Sequence, residues 1–364
     1  MLKPENFVER LRHNAVDFFC GVPDSLLKNF CAYLTDRFAD RHVIAANEGG
    51  AVALAAGHYL ATGTPACVYM QNSGQGNAVN PLASLADPDV YSVPMVLLVG
   101  WRGEPGVHDE PQHVKQGKVT ITLFETLGIP TEILPEDEFV AMDTVDRLVQ
   151  QAKAESRPVA LVVRKGLFES YRMEKPAGSH PDGLSACGRE AAIEEVLDAL
   201  PPEAVVVSTT GMISREVYET RLRRGEGHER DFLTVGSMGH ASMIALGIAR
   251  AKPGRPVFCL DGDGASIMQM GNLAIVGQSR AANLTHIVFN NAAHDSVGGQ
   301  PTVGGDIDLV AIAAACGYNA PGAPVFREIR VKKGARADLG RPKEKPQENK
   351  ALFMRTLANC PAGV

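Results

Sequence analysis

The chain lacks any close pair of cysteines. Its seven cysteines, at positions 20, 31, 67, 187, 259, 316 and 360, are odd in number, and none is spaced as C-x-x-C. Several lie in apolar runs, where a thiol packs as a small hydrophobic side chain. This distribution favours a reducing cytoplasm over a disulfide framework or a cysteine-based zinc site.

Long apolar runs and an excess of positive charge are also missing. No segment approaches the ~18–20 apolar residues of a membrane span, and the N-terminus "MLKPENFVERL" has no apolar signal-peptide core. The formal net charge of −6 argues against a nucleic-acid or anionic-membrane surface, because both require a positive face. We therefore expect a cytoplasmic protein without a nucleic-acid or membrane partner, in which local cations, helix N-termini or a metal bind any anionic ligand.

Short apolar runs alternate with helical patterns in two halves of the chain. The 364 residues, with 45% apolar and 21% charged side chains, are typical of a globular protein with two domains. Runs such as "PACVYMQ" and "PVALVVRKG" in the first half, and "PVFCLDG" and "THIVFNN" in the second, predict buried strands. This α/β pattern predicts two domains, each a mostly parallel sheet with helices on both faces. The Pro-, Gly- and Ser-rich stretch 175–188 is the predicted linker, which gives domains 1–175 and 185–364.

The second half is shorter than the first near its end. Before the last strand of the first half, 29 residues separate Gly128 from Pro158, whereas only six separate Gly317 from Pro324 in the second. We expect the second domain to lack one strand–helix unit near 318–324, with "DLVAIAAACG" still supplying the crossover that parallel strands need.

Two aspartates and two asparagines follow successive strands of the second half. Asp261 and Asp263 alternate with glycines in "DGDG", and after Gly264 a stretch of 25 residues leads to the pair that ends at Asn291. Glycines allow close backbone approach, free N–H groups of a following helix attract phosphate, and Mg²⁺ prefers carboxylate, phosphate and water oxygens. Each piece alone could be an ordinary turn or loop cap, but together they favour a site for Mg²⁺ and a phosphate group.

This spacing resembles the cofactor motif of the thiamine diphosphate enzymes. The resemblance implies that Asp263, Asn291 and the carbonyl of Ala293 bind Mg²⁺. Backbone N–H groups of Gly264 and Ala265 would then face the diphosphate. In the same family a loop that matches "STTGMISRE" closes over the diphosphate, with the residues Thr210, Gly211 and Met212.

A second segment, "VGSMGHAS", resembles the part of these enzymes that bends the cofactor. Met238 would be the apolar wedge, and the Gly236 carbonyl would accept a hydrogen bond from the 4′-amino group. Met238 could otherwise be an ordinary core residue.

Glu48 is the candidate catalytic acid. It opens the Ala- and Gly-rich helical stretch "NEGGAVALAAG", which carries no other charge and resembles the pyrimidine-domain signature of the family. Thiamine chemistry needs a carboxyl near N1′ of the pyrimidine ring, and apolar surroundings raise the pKa of such an acid toward neutrality. A glutamate here could also simply complement the helix dipole. Because this family binds its cofactor between a pyrimidine-binding domain (1–175) and a pyrophosphate-binding domain (185–364), usually of different subunits, the resemblance implies a homo-oligomer of at least two chains.

Within the family, "FFCGVPDSLLKNFCAYLTD" and "NNAAHDSVGGQPTVGGDIDL" resemble the two-domain phosphonopyruvate decarboxylases. The resemblance implies decarboxylation of 3-phosphonopyruvate, an anionic 2-oxo acid, to phosphonoacetaldehyde and CO₂ in phosphonate biosynthesis. The related sulfopyruvate decarboxylases are an alternative, and a non-catalytic cofactor-binding or partner-stabilising subunit is an alternative of another class. A nicotinamide dehydrogenase is disfavoured because "FCGVPDSL" does not supply G-x-G-x-x-G after the first strand.

Such a substrate needs local donors in an acidic protein. A guanidinium suits bidentate recognition of a phosphonate, and histidines and carboxyls can orient the substrate or move protons. The candidates, each of which could also be an ordinary loop residue, are Asp24, Ser25, Arg102, His108, His113, His294 and Asp295.

Overall fold

The computed structural model describes residues 1–173 and 187–358. It divides into two compact units, Met1–Gly178 and Ser179–Val364. Most of the predicted linker at 175–188, and Cys360, lie outside the described residues.

The first unit is built on a six-stranded parallel sheet with the order β2-β1-β3-β4-β6-β5. Its strands are β1 (Phe19–Gly21), β2 (His42–Ile44), β3 (Ala66–Gln71), β4 (Met95–Gly100), β5 (Thr131–Ile133) and β6 (Pro158–Val163). Its helices are α1 (Pro4–His13), α2 (Lys28–Arg37), α3 (Glu48–Thr62), α4 (Gln75–Pro81), α5 (Pro111–Thr126) and α6 (Glu138–Glu155). A π-helical turn, Leu82–Ala86, continues α4.

Both faces of this sheet are buried. Successive side chains of β4 point to opposite faces, so that Val96 and Leu98 pack in one core with α1, α2 and α6, while Met95, Leu97 and Val99 pack in another with α3, α4 and α5. Strands buried on both faces must be apolar throughout, which explains their near-continuous hydrophobic sequences. The predicted α/β architecture is confirmed.

The second unit has a five-stranded parallel sheet with the order β13-β10-β9-β7-β8. Its strands are β7 (Val205–Ser208), β8 (Asp231–Leu233), β9 (Val257–Gly262), β10 (Leu284–Asn290) and β13 (Val325–Arg330), and a small antiparallel hairpin pairs β11 (Ala293–His294) with β12 (Gln300–Pro301). Its helices are α7 (Arg189–Asp198), α8 (Met212–Arg223), α9 (Ala241–Ala251), α10 (Asp263–Met268), α11 (Gly271–Gly277), α12 (Leu309–Ala315) and α13 (Pro346–Ala358).

The two sheets share one winding order. Taken in the order β8-β7-β9-β10-β13, the strands of the second sheet correspond one by one to β2-β1-β3-β4-β6 of the first sheet. The described part of the second unit contains no counterpart of β5. Residues 316–324 form the short connection from α12 to β13.

The β8 edge of the second sheet is covered by α13, a helix that the sequence patterns did not predict. Asn349 of α13 donates to the carbonyl of Asp231 at 2.8 Å and accepts from the N–H of Leu233 at 3.2 Å. The helix therefore satisfies backbone groups that an edge strand would otherwise leave open for pairing. Among the helices in the described ranges, none is both long and apolar enough to cross a membrane.

Candidate functional site

The aspartate turn and the asparagine pair meet at the carboxyl edge of the second sheet. Strands β9 and β10 are direct neighbours, with Gly262 paired to Phe289, so both polar segments leave the sheet side by side. The backbone N–H of Asn291 is one of the groups that stabilise the ionised Asp263 carboxylate. In open α/β sheets this edge is where ligands bind.

Asp263 carries a buried carboxylate directly after β9. Only 3% of it is exposed, and burial raises the pKa of its carboxyl to about 6. The hydroxyl of Thr302 donates to its Oδ2, and a Cβ built on Gly304 would lie 2.7 Å from the same oxygen. Across residues 1–173 and 187–358, no Lys, Arg or His side chain forms an ion pair with Asp263. A buried negative charge of this kind needs a compensating cation.

Asn291 and Ala293 supply further oxygens next to this carboxylate. Asn291 is buried; its Nδ2 donates to Asp295 at 2.6 Å, and its Oδ1 accepts from the N–H of Ala293 at 3.1 Å. Ala293 lies opposite Pro301 in the hairpin, and since proline has no N–H, this partner donates nothing to the Ala293 carbonyl. Carboxylate, amide and carbonyl oxygens together form a donor set that suits a hard divalent cation.

The two loops expected to contact the cofactor lie beside this turn. The N–H of Gly236 donates to Thr210 Oγ1 at 3.0 Å, which joins the loop after β7 to the segment before α9. Gly211 has φ +100°, a value that favours glycine. A Cβ built on Gly239 would lie 3.1 Å from the Ala265 carbonyl, so the loop that carries the half-buried Met238 packs directly on α10. Met212 begins α8.

Asp295 is held in a buried ion-pair network. The Arg189 guanidinium donates to Asp295 at 2.8 Å and to Glu216 at 2.7 and 3.0 Å. The Asp295 carboxylate also accepts from Asn291 and from the N–H of Gly334. Asp295 therefore anchors the Asn291 side chain; its role as a substrate-orienting or proton-donating acid stays a prediction.

His294 lies against the glycine of the aspartate turn. A Cβ built on Gly264 would be 3.0 Å from its Cε1 atom. Burial lowers the pKa of His294 to about 4, so its ring is neutral near pH 7. It can therefore donate or accept one hydrogen bond at the position where the resemblance places the diphosphate.

Asp261, the first aspartate of the turn, has a different environment. Its carboxylate accepts from the Gly262 N–H at 2.9 Å and from Ser266 at 3.2 Å, and it contacts His286 Nε2 at 3.3 Å. The other nitrogen of His286 lies 3.3 Å from the Tyr318 hydroxyl. Ligand-type atoms of Asp261, His286 and Cys259 lie within 4.8 Å of one another. The internal hydrogen bonds account for this cluster as a buried chain that fixes the turn.

Glu48 follows β2 in the first unit and begins α3. Asn47 caps the helix by accepting from the N–H of Gly50 at 2.9 Å. Glu48 itself is only 4% exposed, and burial raises the pKa of its carboxyl. Asn77 Nδ2 donates to Glu48 Oε2 at 2.7 Å, and a Cβ built on Gly74 would lie 2.5 Å from Glu48 Cγ and closer still to the carboxylate. The environment is that of an acid that keeps its proton to higher pH than an exposed glutamate does.

Arg102 is paired, a feature that the sequence patterns did not show. Its Nε and Nη2 donate to the Asp109 carboxylate at 2.8 and 2.5 Å, and its Nη1 donates to Ser25 Oγ at 2.9 Å. Asp24 is fully buried, its Oδ1 has no hydrogen-bond partner, and burial raises the pKa of its carboxyl to about 6. The Arg102 charge opposes part of this rise. The structure thus brings Asp24, Ser25 and Arg102 together.

The two histidines of the following loop differ in burial. His113 is buried, its Nδ1 has no partner, and burial together with the Arg102 charge lowers its pKa to about 4. His108 is exposed to solvent. His113 is therefore a neutral imidazole beside the Arg102–Asp109 pair.

Several residues of these sites were not recognised from the sequence. Thr302 lies 39 residues from Asp263, and Asn77 lies 29 residues from Glu48. No local spacing links such pairs, because loops of variable length bring them together. Those missed are Gly74, Asn77, Asp109, Arg189, Glu216 and Thr302.

Comparisons with known proteins bear on both units. The sequence profile described as "Thiamine pyrophosphate enzyme, N-terminal TPP binding domain" matches residues 4–122, and the corresponding "C-terminal TPP binding domain" profile matches residues 209–341. Phosphonopyruvate decarboxylase of Streptomyces hygroscopicus is 34% identical over 378 residues, which cover 96% of this chain and 92% of that protein. The enzyme of the same name from Streptomyces viridochromogenes is 34% identical over 401 residues, 100% of this chain and 97% of that protein.

A shorter relative covers less of the chain. Sulfopyruvate decarboxylase subunit beta of Methanothermobacter thermautotrophicus is 34% identical over 160 residues, which are 40% of this chain and 83% of that subunit. The first profile match lies within the first unit and the second profile match lies within the second unit. The chain therefore belongs to the family of thiamine pyrophosphate-dependent decarboxylases that includes the phosphonopyruvate decarboxylases.

Proposed function

We propose that this protein decarboxylates 3-phosphonopyruvate to phosphonoacetaldehyde and CO₂ with thiamine diphosphate and Mg²⁺, in phosphonate biosynthesis. The observation that carries the proposal is the buried carboxylate of Asp263, which lies beside Asn291. In the described ranges this carboxylate pairs with no cationic side chain. The similarity to two phosphonopyruvate decarboxylases spans nearly the whole chain, whereas the sulfopyruvate decarboxylase subunit covers 40% of it. The distributed, free cysteines of the described chain favour the cytoplasm as the site of action.

In this proposal the second unit binds the charged end of the cofactor. Asp263 Oδ, Asn291 Oδ1 and the Ala293 carbonyl hold Mg²⁺. Backbone N–H groups of Gly264 and Ala265 bind the diphosphate. The remaining contacts to the cofactor come from Thr210, Gly211, Met212, the Gly236 carbonyl and the Met238 side chain. When bound, thiamine diphosphate supplies the electron sink for the electron pair that CO₂ leaves behind.

Glu48 holds the proton that the reaction needs at the pyrimidine ring. Since burial raises the pKa of its carboxyl, it keeps a proton that it can donate to the ring nitrogen N1′ at higher pH than an exposed glutamate would. As the family resemblance implies, we propose that Glu48 of one chain and Asp263 of another serve one active site. The functional protein is then a homo-oligomer of at least two copies.

The substrate anion is bound by the cluster around Arg102. Asp109 and Ser25 orient the guanidinium, and its remaining N–H groups bind the phosphonate. Asp24, with its pKa of about 6, is the proton donor to the product carbon. His113 and His294, whose pKa values burial lowers to about 4, supply neutral hydrogen-bonding groups, and His108 is a further hydrogen-bonding group for the substrate. Asp295 acts through Asn291.

The test is a comparison of CO₂ release from phosphonopyruvate, sulfopyruvate and pyruvate by the purified protein with thiamine diphosphate and Mg²⁺. We expect phosphonopyruvate to give the highest kcat/KM. A preference for sulfopyruvate would establish the alternative substrate, and no CO₂ from either would indicate a non-catalytic subunit. Asp263→Ala should lose cofactor binding in calorimetry, while Asp338→Ala, at a carboxylate that is 82% exposed, should bind as the native protein does.

A further inference from the structure

We propose that Asn77 is a positioning residue that orients the Glu48 carboxyl and determines how readily it holds its proton. The inference rests on the proposed function in one respect, since that function places Glu48 beside the pyrimidine ring of the cofactor. Its geometric basis is independent of any ligand.

The contact between the two side chains is direct. Asn77 Nδ2 donates to Glu48 Oε2 at 2.7 Å, and Glu48 is only 4% exposed. Within residues 1–173 and 187–358, no other side chain donates a hydrogen bond to Glu48. The hydrogen bond to Oε2 restrains the orientation of the carboxyl, and Oε1 lies against Gly74, where a Cβ would clash with it.

Two glycines make this contact possible. A Cβ built on Gly49 would lie 2.7 Å from the Asn77 carbonyl oxygen, and a Cβ built on Gly74 would lie 2.5 Å from Glu48 Cγ. A larger residue at either position would push α3 away from α4 or displace the carboxyl. The backbone around Asn77 is therefore held against the first turn of α3, and from there the side chain of this otherwise exposed residue reaches Glu48.

The surroundings of Glu48 contain few competing charges. The elements that pack most extensively against α3 are α4, β1, β3 and the turn Leu82–Ala86. None of them contains Asp, Glu, Lys or Arg; their titratable side chains are Cys20, Cys67 and Tyr69, and α3 itself adds His58 and Tyr59. Burial raises the pKa of Glu48, and the hydrogen bond from Asn77 lowers it. A donor to the ionised form favours ionisation, so loss of Asn77 must raise the pKa further.

The test measures the proton affinity of Glu48 in the cofactor-free, full-length protein. The carboxyl ¹³C signal of labelled glutamate is followed against pH and assigned by its absence in Glu48→Gln. We expect Asn77→Ala to raise the pKa of Glu48 by about one unit. Asn77→Asp should raise it more, because a second carboxylate disfavours ionisation. Asn80→Ala is the matched control, since Asn80 is exposed and contacts Ser84 instead.

The loaded enzyme gives a second measurement. If the protonated carboxyl of Glu48 is the active form, the alkaline limb of the kcat/KM profile moves to higher pH in both Asn77 variants by the same amount as the pKa, and stays in place in Asn80→Ala. A Glu48 pKa in Asn77→Ala equal to that of the control would overturn the proposal. Asn77→Asp, which is nearly isosteric, decides the question if the alanine variant does not fold. Failure of the proposed function would appear separately, as normal turnover in Glu48→Gln.

Discussion

Replacing Gly74 by alanine is expected to separate catalysis from stability in the first unit. Gly74 has φ −74° and ψ −12°, a right-handed conformation that alanine adopts without strain. The loss of backbone freedom in the unfolded chain alone should stabilise the protein by about 0.4–1 kcal/mol. The new Cβ would, however, lie 2.5 Å from Glu48 Cγ.

The Glu48 side chain must then retreat by about 1 Å, because carbon atoms in contact are separated by about 3.5 Å. This movement breaks the hydrogen bond from Asn77, which is worth about 0.5–1.5 kcal/mol for an uncharged acceptor. The net loss in the free energy of unfolding is then only about 1 kcal/mol or less. A misplacement of about 1 Å in a catalytic group costs about 10²-fold in rate, so kcat should fall by that factor.

The assay pairs kcat for decarboxylation with urea unfolding of the same preparations. Gly76→Ala is the control, since a Cβ at Gly76 meets nothing within 4 Å. If Gly74→Ala turns over as fast as Gly76→Ala, Glu48 does not act from the position in which the structure holds it.

Three further predictions concern buried carboxylates and their partners. Glu48→Gln should abolish turnover and leave the Kd for thiamine diphosphate within a few-fold; near-normal turnover would remove Glu48 from the reaction. The folded pKa of Asp24, about 6, lies above its ordinary value of 3.8, so its contribution to stability is present below pH 3.8 and is lost as the pH rises through 6. Between pH 4 and pH 8 the native protein should therefore lose about 2.5 kcal/mol relative to Asp24→Asn in urea unfolding, and parallel pH profiles would contradict this. Arg189→Ala should cost about 3–5 kcal/mol and weaken Mg²⁺ binding through Asp295, because it strands two buried carboxylates. The control is Arg223→Ala, at a surface arginine with 43% of its side chain exposed, which should lower the free energy of unfolding by about 1 kcal/mol or less. Equal losses of stability for both arginine variants would refute the network.

Much of the fold could be predicted from local patterns. Buried strands such as β3, β4, β9 and β10 are visible as short apolar runs, because a strand covered on both faces must be hydrophobic at every position. The short antiparallel pair β11–β12 and helix α13 were missed. A two-residue strand carries too little pattern to be seen.

The proximity of Asp263 and Asn291 could also be predicted, for a geometric reason. Each follows a strand, and the carboxyl ends of neighbouring parallel strands meet at one edge of a sheet. Glu48 was recognisable because a lone carboxylate in an apolar helix is unusual in composition. In both cases the information lies within a few residues of each site.

Tertiary packing alone decides which partner each polar side chain has. Asp109 binds Arg102, Arg189 binds Asp295 from 106 residues away, and Asn77 binds Glu48. The hydrophobic periodicity of the sequence predicts which face of each element is buried, but it does not predict the distance between the ends of two loops. Those distances follow from how closely the helices and sheets pack, so pairing, and with it the charge state of the site, arises only in the folded protein.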